Sequence, residues 1–370
     1  MTQPGDEPAL PPAGQTTAAS TPAESGPASM ASLLAAAEPA APRRLGELIE
    51  RLEASGRLRT VRPAQTVGRG AGRQEPAIGA LGVRGVTLDS RHLRASSVFV
   101  AVPGAHVDGH DYVAAAAALG AVAAVVERPV PGAALPQIIV DDARRALAAV
   151  AAWWYGDPSC ELGVVGITGT DGKTTTAFLA AAMLEAAGIS TGLITTAVAQ
   201  VGSVRTANPE HVTTPEAPDL QLMLRAMVLA GNRAAIIETT SHGLALHRVA
   251  EIAYDVAIFT NLTHEHLELH GTFEAYRDAK VSLFRRLGDE VPAKRLARIW
   301  PRFGIVNADD PAAPLFVDAA RGSGARVLTY GTASGADVRA TAVAEGDRSL
   351  RVDVVTPRWM GPLELRLAGR

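Results

Sequence analysis

The sequence of 370 residues has a single cysteine, Cys160, which rules out an internal disulfide framework and suits a reducing compartment. A dominant charge is missing too. The 35 Lys and Arg are interspersed with 38 Asp and Glu, for a formal net charge of -3, so the basic footprint of a nucleic-acid-binding chain is absent. No run approaches the roughly eighteen consecutive apolar residues that a spanning helix needs. The longest candidate, 113–126, is broken by Gly120 and reads as a helix end turning into a strand. The N-terminus shows no basic leader followed by an apolar segment and a cleavage site, so secretion is unsupported. The expectation is a soluble, cytoplasmic monomer that handles small molecules and neither nucleic acid nor membrane. Its length allows two or three domains.

What is present centres on 163–188, GVVGITGTDGKTTTAFLAAAMLEAAG. A short β-branched run breaks into a loop containing Gly166, Gly169 and Gly172, after which Lys173 and Thr174 open an alanine-rich helix. Glycines let backbone N–H groups approach an anion, the positive helix end faces it, and Lys173 adds a point charge. The Thr174 hydroxyl can ligate Mg²⁺. The common phosphate-loop pattern wants glycine where Ile167 stands, so the match is to the variant TGTDGKT. Gly169, Thr170, Asp171, Gly172, Lys173, Thr174 and Thr175 form the expected ATP site.

Around this loop the chain divides by composition. Residues 1–40, rich in Ala, Pro, Ser, Thr and Gly, carry too few large apolar groups to offset chain ordering and are expected to be a disordered tail. Residues 41–82 are expected to be a helix, with Leu45, Leu48, Ile49 and Leu52 on one stripe, followed by a linker. Residues 83–157 alternate strand, loop and helix as a small α/β domain, in which Trp153 and Trp154 read as packing residues. Residues 158–370 continue the alternation, which predicts a mostly parallel sheet covered on both faces, ending in antiparallel strands from about 336. Ligands then belong at the C-terminal strand ends. Thr174, Glu238 and the 261–270 segment each follow an apolar strand.

Glu238 ends the strand AAIIE, where an acid aimed at Mg²⁺ or its water belongs; a carboxylate capping the next turn is the alternative. The segment 261–270, NLTHEHLELH, packs three histidines and two acids beside the loop. That suggests one metal-binding or catalytic histidine. Lys280 falls on the apolar-polar edge of a helix starting near Phe273, and by composition alone it reads as a solvated lysine.

The segments GITGTDGKTTT, TTPEAPDLQ, ETTSHGLALHRV, FTNLTHEHLELHGTFEAYRDAK and VNADDPA occur in the order found in the Mur ligase family. Over 83–370 the chain resembles that family, and within it the tripeptide synthetases. The TLDSR and VFVAVPGAHVDGHDYV segments resemble the family's N-terminal, uridine-nucleotide domain. The resemblance implies ATP-dependent ligation of an amino acid, meso-diaminopimelate or L-lysine, to UDP-N-acetylmuramoyl-L-alanyl-D-glutamate through an acyl phosphate, in peptidoglycan biosynthesis. It implies that Lys173 contacts the phosphates, that Thr174 and Glu238 hold one Mg²⁺ and His266 a second, and that Lys280 is carbamylated and also faces metal. It implies uridine-nucleotide contacts at Leu88, Ser90, Ala105, His106 and Val107. Sugar-peptide contacts are implied at Thr213, Thr214, Thr240 and Arg248.

Some positions depart from the family pattern: Asp171 stands where asparagine is frequent, Thr240 replaces serine, Leu246 a glutamine and Glu268 an aspartate. All are conservative enough for the metal site to persist. The sequence stops at LELRLAGR, where the resemblance leads one to expect a linker and a Rossmann-like C-terminal ligase domain. The expectation is therefore a C-terminally truncated form. A fragment that binds UDP-substrate and ATP without ligating is one alternative. A ligase extending folate with glutamate is another, though it leaves the DSR and GAHVDGH segments unexplained.

Overall fold

The computed structural model describes residues 29–65, 77–104, 107–208, 212–263, 267–289, 293–296, 300–346 and 349–366. Among them, strands and helices alternate into two α/β units. In the first unit the sheet order is Leu58–Arg62, Gln137–Val140, Ala123–Val126, Ser97–Val100, Gly85–Thr87. All pairs are parallel except the antiparallel Leu58–Arg62 edge. The three inner strands are buried throughout, as expected of parallel strands covered on both faces. Helix Ala143–Tyr155 covers one side, capped by the Asp142 carboxylate and ended by Gly156 in the left-handed conformation. Trp153 and Trp154 lie in its core.

This unit begins earlier than the sequence suggests. Helix Leu45–Ala54 buries Leu45, Leu48 and Leu52 in the same core, and Arg43–Arg44 pairs with Gly82–Val83. Leu58–Arg62, read from sequence as linker, is its edge strand. The tail also needs correction. Residues 1–28 lie outside the described residues, but Met30–Ala37 is a helix with a reciprocal Ser29–Ser32 capping box. Leu33, Leu34 and Ala37 pack on the core of the second unit. Averaging composition over forty residues conceals that short apolar face.

The second unit holds an eleven-stranded sheet among the described residues, ordered Val204–Ala207, Val198–Val201, Thr191–Ile194, Ala234–Glu238, Gly163–Thr168, Val256–Phe259, Phe303–Asn307, Arg326–Gly331, Val338–Glu345, Leu350–Val355, Met360–Leu365. The stretch from Thr191–Ile194 to Val338–Glu345 is parallel. Antiparallel hairpins flank it on both sides. Gly163–Thr168 and Ala234–Glu238 are buried at every residue and lie side by side, so their C-terminal ends open at one place on the sheet. Arg51 bridges the units, pairing with Asp157 at 2.7 Å and Glu251 at 3.1 Å. No described helix is long and apolar enough to cross a membrane.

Candidate functional site

The loop after Gly163–Thr168 runs into helix Lys173–Ala186, with Gly172 as its N-cap at φ 78°. At Gly169 a Cβ would lie 1.9 Å from Thr260 Oγ1 and 3.0 Å from the Asn261 carbonyl oxygen, so only glycine lets the loop lie against the 260–263 segment. That segment fixes the loop by hydrogen bonds. Thr170 N–H donates to Asn261 O and Asp171 N–H to Asn261 Oδ1, both at 2.9 Å. Thr260 Oγ1 donates to Asp171 O at 2.7 Å, and Thr263 N–H donates to Thr170 Oγ1 at 2.9 Å. Lys173 Nζ donates to Thr170 O at 2.7 Å and to Gly169 O at 3.1 Å. Thr174 sits half-buried in the first helical turn and Thr175 is exposed.

Lys280, which reads as solvated from residue type alone and as a site residue only through the family resemblance, is buried at 2% exposure in helix Phe273–Arg285. Its Nζ donates to Gly169 O at 2.6 Å and lies 4.5 Å from the centre of the Tyr276 ring. The phosphate loop covers this helix face, an effect no helical periodicity can express. The residues 264–266 lie outside the described residues, and His266 with them.

Across the neighbouring strand end, Glu238 is completely buried. Its carboxylate accepts from Thr196 N–H at 3.3 Å and Thr196 Oγ1 at 3.1 Å, and among the described residues it makes no ion pair. Thr196 Oγ1 is also 2.8 Å from Thr213 Oγ1. Thr214 Oγ1 donates to Glu238 O at 2.9 Å and lies 3.0 Å from Thr240 Oγ1, which caps helix Ser241–Ala245. Arg248 donates to Thr214 O at 2.9 Å and pairs with Glu216 at 2.6 Å, while its buried Nε has no hydrogen-bond partner among the described residues. Thr213, Thr214, Thr240 and Arg248 thus meet beside Glu238. Thr196 and Tyr276 escaped the sequence reading. The strand-end rule flags Thr196, and Tyr276 stands one helical turn from Lys280 on the same face.

A buried carboxylate with only neutral partners fits a divalent cation, because an unpaired charge is costly away from water. No three His, Cys, Asp or Glu side chains converge among the described residues. Thr174 and Glu238 are the described candidates for holding such an ion.

In the first unit a cleft of about 490 Å³ is lined by Leu88, Ser90, Phe99, Val107, Tyr112 and Arg144, among others. It gathers three of the five expected uridine-nucleotide residues; the other two, Ala105 and His106, lie outside the described residues. The loop around it is set by Asp108, whose carboxylate accepts from His110 N–H at 2.9 Å, lies 2.6 Å from His110 Nδ1 and pairs with Arg128 at 2.5 Å. The Arg128 guanidinium and the His110 bonds hold the Asp108 carboxyl well below the usual carboxylate range. Glu127 N–H donates to His110 Nε2 at 3.0 Å, which places the ring proton on Nδ1, toward Asp108.

Comparison with known proteins gives the family. Residues 167–370 match the Mur ligase middle domain, and residues 82–155 match the Mur ligase family, catalytic domain. A UDP-N-acetylmuramyl-tripeptide synthetase of Roseiflexus sp. (strain RS-1) is 44% identical over 298 residues, covering 78% of this chain and 57% of the relative. A synthetase of the same name from Deinococcus radiodurans is 41% identical, covering 78% and 56%. The UDP-N-acetylmuramoyl-L-alanyl-D-glutamate--2,6-diaminopimelate ligase of Bacillus licheniformis is 39% identical, covering 81% and 58%. In fold, the chain is similar to a solved UDP-N-acetylmuramoyl-L-alanyl-D-glutamate--2,6-diaminopimelate ligase, with a TM-score of 0.65 at 24% identity over 80% of this chain and 58% of that one. The chain spans a little over half the length of the curated relatives it matches. With its middle-domain match extending over more than half its length, the chain belongs to the Mur ligase family.

Proposed function

We propose that this chain carries the UDP-substrate and ATP sites of a ligase that joins meso-diaminopimelate or L-lysine to UDP-N-acetylmuramoyl-L-alanyl-D-glutamate. The observation that carries this reading is the placement of Glu238, Lys173 and Lys280 around neighbouring C-terminal strand ends, beside the Thr213, Thr214, Thr240 and Arg248 cluster. The names of the relatives supply the substrate class.

The loop amides and Lys173 would hold the triphosphate in this reading, with the γ-phosphoryl group facing the D-glutamyl carboxylate. One carboxylate oxygen bonds to phosphorus as the bond to the ADP oxygen breaks. The amine of the incoming amino acid attacks the acyl carbon, loses its proton, and inorganic phosphate leaves. Phosphoryl transfer depends on position and charge neutralisation more than on covalent help. Mg²⁺, held by Thr174 and Glu238, would supply that neutralisation when bound. Arg248, with its unpartnered Nε, suits a carboxylate or pyrophosphate of the substrate.

Lys280 fits a carbamate on grounds of charge. As ammonium groups, Lys173 and Lys280 repel one another across a shared carbonyl; a carbamate at Lys280 would turn that repulsion into attraction and offer two oxygens to metal. His266 is proposed as a further metal ligand from the family motif alone.

The deciding experiment is calorimetric titration of the chain with ATP and Mg²⁺, then with UDP-N-acetylmuramoyl-dipeptide, with a folate as control substrate. Binding of the nucleotide and the UDP-sugar is expected. Folate binding without UDP-sugar binding would replace this reading with the folate-ligase alternative.

A further inference from the structure

The phosphate loop, the histidine-rich segment and Lys280 meet at one side chain, Tyr276, to which the sequence motifs give no role. Tyr276 is completely buried in helix Phe273–Arg285. Its hydroxyl lies 3.0 Å from Thr170 Oγ1 in the phosphate loop, and its ring lies against Lys280 Nζ at 4.5 Å. The ring edge also meets His270, centroid to centroid at 5.5 Å, at the end of the histidine-rich segment. Thr170 Oγ1 in turn accepts from Thr263 N–H at 2.9 Å, so the hydroxyl pair joins the loop to both the helix and the 260–263 segment.

Thr170 Oγ1 has one proton and accepts the Thr263 N–H, so its own hydrogen-bonding geometry is set by two neighbours at once. Tyrosine brings its hydroxyl there on a stiff ring with two side-chain torsions, fixed by burial. Thr170 O is also an acceptor for Lys173 Nζ. Moving Thr170 therefore moves the carbonyl that orients the phosphate-binding lysine.

We propose that Tyr276 is a positioning residue for nucleotide binding: its hydroxyl sets the phosphate loop through Thr170, while its ring fixes the Lys280 head. The inference rests on the ATP-site reading above. Tyr276 need not touch the nucleotide itself; it acts through Thr170 and Lys280.

Tyr276→Phe keeps the ring and removes only the hydroxyl. A neutral hydrogen bond contributes about 0.5–1.5 kcal/mol net, so affinity for ADP with Mg²⁺ is expected to fall roughly two- to tenfold. A matched control is Tyr254→Phe, which removes a hydroxyl 3.0 Å from Thr239 Oγ1 from another buried tyrosine. It should lower the thermal midpoint by a similar amount while leaving ADP affinity unchanged. Thr170→Val removes the same pair from the other side, and the Thr170→Val/Tyr276→Phe double variant should bind ADP as Thr170→Val does, since the shared bond can be lost only once.

Binding is read by calorimetry on the full chain, with thermal melts in parallel. Wild-type affinity in Tyr276→Phe overturns the proposal, as do additive losses in the double variant or an equal loss in Tyr254→Phe. If the wild-type chain itself binds no nucleotide, the ATP-site reading fails instead, so the two failures are distinguishable.

Discussion

Lys173 and Lys280 reach the same carbonyl oxygen, that of Gly169, from two different helices, at 3.1 and 2.6 Å. Each has a distinct job in the proposed chemistry. Lys173 opens the helix behind the loop, and in the proposed chemistry its ammonium exchanges loop carbonyls for phosphate oxygens. A hydrogen bond to a charged group contributes about 1.5–3 kcal/mol, so Lys173→Ala should weaken ATP binding roughly ten- to a hundredfold. Isothermal titration measures this directly, and an unchanged dissociation constant would refute the phosphate-loop assignment.

Lys280→Ala should act differently. Its amine donates to the loop carbonyl of Gly169 and does not line the cleft of the first unit, so UDP-substrate affinity should stay within about twofold of wild type. Ligation by the activity-competent protein should be abolished, and added bicarbonate should not restore it. Short carboxylates should restore part, by standing in for the lost carbamate. Full turnover by Lys280→Ala in their absence would count against a carbamate.

Gly169→Ala tests whether the loop is held as tightly as the geometry says. The new methyl group would collide with Thr260 Oγ1, which is itself engaged by Asp171 O. Overpacking of this kind costs about 1–3 kcal/mol, and the melting temperature should drop by several degrees along with nucleotide affinity. Gly172→Ala meets nothing within 4 Å but sits at φ 78°, so it should show only the backbone strain, about 1–2 kcal/mol. Equal midpoints for wild type and Gly169→Ala would mean that Thr260 yields easily.

The difference between local and long-range order explains what was legible in the sequence. Gly169, Gly172, Lys173 and Thr174 all fall within 169–174, and strand, loop and helix follow from their order alone. Glu238 was found because strand ends in a parallel sheet collect ligands. Lys280 falls on the correct helix, but residue type alone reads it as solvated and only the family resemblance turns it toward the site, because the loop that buries it arrives from more than a hundred residues away. Leu58–Arg62 was missed for a related reason: as an edge strand it exposes Arg59 and Arg62, and a half-charged run of five carries no period-two signal. Thr196 and Tyr276 are tied to the site through Glu238 and Thr170, both distant in sequence, so the motifs alone give neither a role.

The cleft of the first unit yields a pH prediction. The Asp108 carboxyl titrates below its ordinary value because of Arg128 and His110, so its native-state proton affinity is lower than in the unfolded chain. The sign follows: Asp108 stabilises the fold above about pH 4, the ordinary aspartate value, and that contribution is lost as pH falls toward the depressed native value. Asp108→Asn should therefore melt below wild type at pH 6, with the gap steady down to about pH 4 and narrowing only as pH falls further toward the depressed native value. A gap that stays constant below about pH 4 as well would show that the charge of Asp108 is not what sets the loop.

Glu238→Gln should separate stability from function. Glu238 is completely buried, and its described partners are the Thr196 amide and hydroxyl, each on a different carboxylate oxygen; glutamine keeps an oxygen for the amide and turns its NH2 to the hydroxyl, which can accept it and donate to Thr213 instead. Removing an unpaired buried charge relieves desolvation, so the variant should melt at or above the wild-type temperature without Mg²⁺. Its nucleotide affinity in the absence of Mg²⁺ should be close to wild type, or better, since one negative charge near the phosphates is gone. The gain in affinity that Mg²⁺ gives wild type should largely vanish. Thermal melts and ADP titrations with and without Mg²⁺ check both halves, and a variant that destabilises the apo protein while keeping the full Mg²⁺ effect would make Glu238 a strand-end structural acid and not a metal ligand.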